Sequence, residues 1–257
     1  MDKLQGYYKH YGADILYVND IEAEHSFPTD LAQNKNACDY LGAPYINNCD
    51  YDGVGQMFNH IIPGQDTKPL KKRNLDWKST GTLSKFEQAE FVEDLYVFST
   101  SGFDDLGYVF VPNTCQGGDS PQCKVHVALH GCEQGRGTLD TEYVENTGYM
   151  EWAGVNDIIV LFPQAKKTAA NPKGCWDWWG YTGADYASKV GVQPKAISRM
   201  VDRLSTASAS SAMTSSGLLG SSSSLAMWEP AAGHFNFDSM MSDMLAMWMT
   251  LFKFFFW

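Results

Sequence analysis

His25 stands in NDIEAEHSFPTD (19–30), a loop that follows the apolar run DILYV (14–18). An imidazole on a loop beyond a strand is placed to act as a general base. Only 24 residues precede it, which leaves little room upstream for the nucleophile such a base would serve. Glu22, Glu24 and Asp30 are close in sequence, but neighbours on one loop seldom have the geometry to orient the ring. In CKVHVALHGCEQGRG (123–137) an apolar run ends on a His-Gly pair, and Gly131 permits close backbone approach. The competing reading of that pair is a hydrogen-bonded core histidine before a turn glycine. In GCWDWWGYTGADY (174–186), Trp176, Trp178, Trp179 and Tyr181 lie within six residues, more aromatic surface than a strand needs. They could form an apolar platform with hydrogen-bonding edges for a polymer chain or another flat apolar substrate. The alternative is core packing, with Trp176 and Trp178 pointing opposite to Trp179.

The elements that must position these residues are legible as periodic runs. Leu4, Tyr7, Tyr8 and Tyr11 fall at helical spacing, and a strand is expected at 14–18. Asp50 can cap a helix whose apolar face is Val54, Met57, Phe58 and Ile61. After a Pro-, Gly- and Lys-rich connection at 63–82, strand candidates crowd together: SKFEQAEFV, GYVFVP, KVHVALH and DIIVLFP. The last two are nearly continuous apolar runs separated by the helix-length LDTEYVENTGYMEWAG, the spacing of a βαβ unit in a parallel sheet covered on both faces. From Pro194, Ile197, Met200, Val201 and Leu204 again mark one helix face. A domain is therefore expected over 1–204. Residues 205–224 hold ten serines in twenty and read as a disordered linker. The Met- and Phe-rich 225–257 reads as a tail apart from the domain, too short in its unbroken part for a membrane span, which needs ~20 apolar residues.

A net charge of −11 and a pI near 4.9 argue against nucleic acid or an anionic membrane as partner, and KPLKKR (68–73) reads as a solvated loop. Six cysteines without C-x2-C pairs argue against a zinc site. Sequence leaves 15 pairings open, but the separations favour Cys38–Cys49 and Cys115–Cys123, leaving Cys132–Cys175. Such a pattern points to an oxidising compartment, the alternative being six buried thiols in the cytosol. The opening MDKLQGYYKHYG has neither the charged nor the apolar region of a signal peptide, so the natural N-terminus is expected to be missing.

The strand delivering His-Gly at its carboxyl end resembles the loop after the third strand of α/β-hydrolases, where a backbone N–H points into the oxyanion hole. VALHGCEQG, NTGYMEWAGVNDIIVLFPQA and the segment from NPKGCWDWWGYTGADY to RMVDRL resemble the poly(3-hydroxybutyrate) depolymerases and related secreted esterases. HSFPTD and the following CDYLGAPYINNCDYDGVGQMFNHI match the histidine segment and C-terminal helix of the same family, and the resemblance covers roughly 1–204. Because the histidine segment precedes the oxyanion strand, the order is similar to that of the circularly permuted, fungal-type members. The resemblance implies an α/β fold: an incomplete α/β-hydrolase sheet in permuted order, lacking the nucleophile and acid segments. It makes His25 the base of a Ser-His-Asp triad and the Cys132 N–H, beside Gly131, an oxyanion donor held rigid by Cys132–Cys175. Trp176, Trp178, Trp179 and Tyr181 become part of the substrate crevice. The family's G-x-S-x-G nucleophile turn does not occur in these 257 residues, Glu24 stands where the family usually has glycine, and neither SSGLLGSSSSLAM nor His234 supplies a replacement. The expectation is an extracellular, monomeric hydrolase of short hydroxyalkanoate polyester or another ester, impaired in this chain and needing no metal or organic cofactor. The alternatives are a feruloyl- or acetyl-type sugar esterase and a non-catalytic polymer-binding protein.

Overall fold

The computed structural model describes residues 2–34, 36–62, 69–116 and 123–206. The expected linker from 207 onward and the whole of the 225–257 tail lie outside the described residues. In chain order the elements are α1 (Asp2–His10), β1 (Phe27–Thr29), β2 (Asn36–Ala37), β3 (Ile46–Asn48), α2 (Gly53–Ile61), β4 (Gly81–Glu87) and α3 (Leu95–Thr100). They continue with β5 (Leu106–Pro112), β6 (Lys124–Val127), α4 (Arg136–Leu139), α5 (Glu142–Asn146), α6 (Tyr149–Ala153), β7 (Ile158–Phe162) and α7 (Val192–Thr206).

Apolar continuity decides the main sheet, whose strand order is β4-β5-β7-β6. β6 and β7 are parallel neighbours, with Val125 opposite Ile159 and Val127 opposite Leu161, as the βαβ spacing predicts. β4 and β5 add antiparallel strands, so the sheet is mixed. Alternation sends Val127, Ile159 and Leu161 to one face, where Ala196, Ile197, Met200 and Leu204 of α7 pack with Val97 and Phe98 of α3. Ala128, Ile158, Val160 and Phe162 meet Val54 and Phe58 of α2 and Tyr149, Met150 and Ala153 of α6 on the other. Each large apolar side chain so buried contributes roughly 1.5–3 kcal/mol, which is why β7, buried along its whole length, sits inside the sheet. The crossover is not one helix. Gly148 takes φ 95°, a conformation comfortable for glycine alone, and divides the segment into α5 and α6, with the short α4 before them.

The N-terminal region departs further from expectation. Residues 14–18 form no strand: among the described residues no strand pairs with them, and Leu16 is exposed. A second small sheet, β1-β3-β2, is parallel throughout and follows His25 instead of preceding it. Asp52, not Asp50, caps α2, its Oδ1 accepting the Gly55 N–H at 2.8 Å; the helix begins at Gly53, which leaves Asp50 outside its first turn. Arg73, read as part of a solvated basic loop, is instead largely buried, donating to both oxygens of Asp30 at 2.6 and 2.7 Å and lying 3.1 Å from Asp52. Trp152 Nε1 donates to the same Asp52 at 2.9 Å, so one carboxylate joins α2, α6 and the chain at Arg73. The six cysteines form Cys38–Cys49, Cys115–Cys123 and Cys132–Cys175. No helix among the described residues is long and apolar enough to cross a membrane.

Candidate active site

The loop beyond β6 is built from the inside out. His130 is buried, and its Nε2 accepts the Ala165 N–H at 3.0 Å. The proton therefore resides on Nδ1, which donates to Gly131 O at 2.7 Å. Burial lowers the imidazole pKa to about 4, against a smaller upward pull from the Gly131 carbonyl, so His130 stays neutral and keeps this tautomer. The core-histidine reading of His130 is thus correct for its ring. The Gly131 N–H donates to Gln134 Oε1 at 2.8 Å, and the Gln134 N–H returns to Gly131 O at 3.1 Å. Glu133, at φ 63°, turns the chain in the left-handed region and donates its N–H to Lys173 O.

Within this turn the Cys132 N–H makes no hydrogen bond among the described residues. A trans peptide sets C=O and N–H antiparallel, so the His130–Gly131 bond that fixes the Gly131 carbonyl also fixes the direction of the Cys132 N–H. Cys132–Cys175 bonds the loop to the aromatic segment. There Asn171 accepts the Cys175 N–H at 2.9 Å and donates to Cys175 O at 2.7 Å.

The aromatic segment divides. Trp176 turns inward, its ring 5.7 Å from Phe103 and 5.5 Å from His130, with Nε1 buried and unpartnered among the described residues. Tyr181 is tied down by its hydroxyl, which donates to Cys175 O and accepts from Gln193 Nε2 and Asn171 Nδ2; burial pushes its pKa up to about 12. Trp178 and Trp179 face outward, 49% and 41% exposed, at 5.3 Å between ring centroids. Asp177 presents them: Oδ1 accepts the N–H groups of Trp179, Gly180 and Tyr181, and Oδ2 accepts the N–H and hydroxyl of Thr182. Burial alone would raise the Asp177 pKa, but these donors outweigh it and hold the carboxyl below its ordinary range. Sequence reasoning passed over Asp177 and Gln134; the signal for Asp177 is an acidic residue directly before Trp-Trp-Gly.

His25 is half-buried just ahead of β1, and its ring has no hydrogen-bond partner among the described residues. Glu24 accepts the His25 backbone N–H at 2.9 Å, and Asp30 is taken by Arg73. Neither neighbouring carboxylate orients the imidazole. Two residues on, the Phe27 N–H donates to Tyr45 O at 2.8 Å, and Gln134 Nε2 donates to that same oxygen at 3.0 Å. The His25 segment and the loop at 130–134 therefore meet at one carbonyl. Among the described residues no cluster of three or more His, Cys, Asp or Glu could hold a metal ion.

A mixed sheet with helices on both faces and a rigid donor loop at the carboxyl end of a parallel strand defines an α/β-hydrolase-type protein. No protein-family model matches the chain. It is 42% identical over 208 residues to a poly(3-hydroxybutyrate) depolymerase of Delftia acidovorans, covering 80% of this chain and 39% of that one. It is 35% identical over 208 residues to a polyhydroxybutyrate depolymerase of Talaromyces funiculosus, covering 75% and 56%. Among solved structures it is similar to a PHB depolymerase in a serine-to-alanine form complexed with an R3HB trimer: TM-score 0.62, 35% identity, 71% of this chain and 57% of that one. It is also similar to the PHB depolymerase from Penicillium funiculosum: TM-score 0.61, 36% identity, 70% and 56% covered. Over 70 to 80% of its own length the chain is similar to poly(3-hydroxybutyrate) depolymerases, and it spans about two fifths to just over half the length of these relatives.

Proposed function

We propose that this chain forms the ester-binding half of a serine hydrolase acting on short-chain polyhydroxyalkanoate polyester outside the cell. The observation that carries the reading is the Cys132 N–H, which is unpaired among the described residues and whose peptide carbonyl, Gly131 O, is held by His130 Nδ1–H and the Gln134 N–H. A fixed donor stabilises the oxyanion that develops when an ester carbonyl is attacked, because no reorganisation accompanies the reaction. In the full reaction a serine hydroxyl attacks the carbonyl, His25 takes its proton and returns it to the leaving alkoxide, and water then releases the acyl group. Trp178 and Trp179 offer the exposed apolar surface on which a polyester chain can lie, with Tyr181 packed against Trp179, whereas Trp176 packs inward on Phe103 and His130. Three disulfides fit an oxidising compartment. We take 1–204 as the unit that carries this function.

These 257 residues contain no G-x-S-x-G turn. The chain by itself is therefore expected to bind polyester and to hydrolyse esters at near-background rate. Retention on poly(3-hydroxybutyrate) granules, with p-nitrophenyl butyrate hydrolysis that a fluorophosphonate leaves unchanged, is the predicted result. Robust hydrolysis abolished by the fluorophosphonate would contradict the impaired state. Failure to bind granules would contradict the polyester assignment and favour a soluble sugar ester as substrate.

A further inference from the structure

Gln134 is buried at 1% exposure, and its side-chain amide is saturated by backbone groups from two distant parts of the chain. Its Oε1 accepts the Gly131 N–H at 2.8 Å; its Nε2 donates to Pro44 O and to Tyr45 O, each at 3.0 Å. The orientation of the amide is fixed by this chemistry. A flip would set NH2 against the Gly131 N–H and oxygen against two carbonyls. Tyr45 lies at φ 57°, in the left-handed region, at the turn whose successive carbonyls converge on this one nitrogen. Tyr45 O also accepts the Phe27 N–H, which begins β1 two residues after His25. On the other side, Gly131 O receives His130 Nδ1–H and the Gln134 N–H, so the peptide that ends in the Cys132 N–H is braced at its carbonyl.

We propose that Gln134 is the positioning residue that sets the oxyanion loop and the His25 segment in register, by bridging the Gly131 N–H to the Tyr45 carbonyl shared with Phe27. The proposal rests on the reading of His25 and Cys132 given above. A base and an oxyanion donor that serve one carbonyl carbon must hold a fixed separation, and misplacement by about 1 Å can cost on the order of 10²-fold in rate. Backbone hydrogen bonds cannot set that separation here: β1 pairs with β3 in the small sheet, while β6 belongs to the main sheet. The Gln134 amide spans the gap with three hydrogen bonds. His130, whose ring nitrogens bond Gly131 O and the Ala165 N–H, braces one side but makes no such crossing.

The test is amide hydrogen exchange by NMR on the full chain, with Val160 and Phe110 as core references. Gln134→Glu keeps an acceptor for the Gly131 N–H and loses both donors to Pro44 and Tyr45. It should speed exchange at Phe27 at least tenfold and move the His25 ring resonances, while Gly131 stays protected and the core amides change less than twofold. Gln134→Met should release Phe27 and Gly131 together and shift the Cys132 amide. Unchanged Phe27 and His25 signals in Gln134→Glu, or an equal acceleration of every amide, would overturn the proposal. Should the variants not fold, native-state exchange of the unaltered chain in rising urea decides it. Phe27 and Gly131 are expected to open in one step with the same denaturant dependence, and separate openings differing more than tenfold would overturn it. Titration with an (R)-3-hydroxybutyrate trimer separates the two claims. Coupled exchange without any trimer effect at His25 or Cys132 removes the functional reading and leaves the tie, whereas trimer binding with uncoupled exchange does the reverse.

Discussion

The oxyanion loop and the His25 segment are the two halves of one proposed site, yet they are held very differently. Around Gly131 and Cys132 nearly every polar group is satisfied from within: His130, Gln134 and Lys173 supply partners, and a disulfide closes the far side. Around His25 the backbone is anchored on either side, by the Glu24 N–H on Cys38 O and the Phe27 N–H on Tyr45 O, but the ring itself has no hydrogen-bond partner among the described residues. The difference teaches what each task requires. A backbone donor acts only if it is already aimed, so its rigidity is built locally; a base also needs an acid to orient it, and Glu24 and Asp30 are committed elsewhere.

The comparison is broken most severely by its cross-links. Replacing Cys132 and Cys175 by Ser opens a link across 43 residues and should lower unfolding free energy by about 4 kcal/mol, against about 3 kcal/mol for Cys38 and Cys49 at a separation of 11. Urea unfolding of the two double variants measures both, and the reverse order would place the tighter constraint around His25. Acid comes next. The folded-state pKa of His130 is lowered to about 4 from 6.5, so its contribution is fully present above pH 6.5 and is lost as pH falls toward 4, by at most about 3 kcal/mol. Buried His126, lowered to about 3, extends the loss to lower pH. His130→Gln should flatten the stability profile between pH 6.5 and 4 in chemical denaturation. Glu151 acts with the opposite sign: burial raises its pKa to about 7, so stability is lost as pH rises from 4.5 through 7, and Glu151→Gln should gain at pH 8 relative to pH 4.5.

Smaller effects sharpen the contrast within the aromatic segment. Trp176→Ala removes a ring packed on Phe103 and His130 and should cost about 3 kcal/mol of stability. Trp178→Ala and Trp179→Ala should stay within about 0.5 kcal/mol of the parent in stability. Each should nonetheless weaken (R)-3-hydroxybutyrate trimer binding roughly tenfold by calorimetry, a loss of about 1.4 kcal/mol.

Much of the fold is legible because it depends on periodicity. The apolar runs of β6 and β7 and the 3.6-residue face of α7 each specify their burial alone. Residues 14–18 have the composition of a strand and fail to become one, since a strand needs a partner that composition cannot name. Arg73 reads as solvated among lysines because Asp30, 43 positions away, is invisible from its neighbours. The same limit hid Gln134. Its position three residues after Gly131 is visible in CEQG, but its acceptors at Pro44 and Tyr45 lie some 90 residues upstream. Asp177 is hard to read for a different reason: its five acceptor contacts are to groups at 179–182 that bond it only once the chain has turned, which no periodicity signals.

The central claim is that the Cys132 N–H, and not its neighbours, faces the ester. A 15N–1H NMR titration of the chain with (R)-3-hydroxybutyrate trimer tests it directly. Progressive shifts are expected at the Cys132 amide and the Trp178 and Trp179 indoles, with the Gly131 amide and the Trp176 indole left in place by their internal contacts. Shifts at Gly131 and Trp176 with none at Cys132 would contradict it.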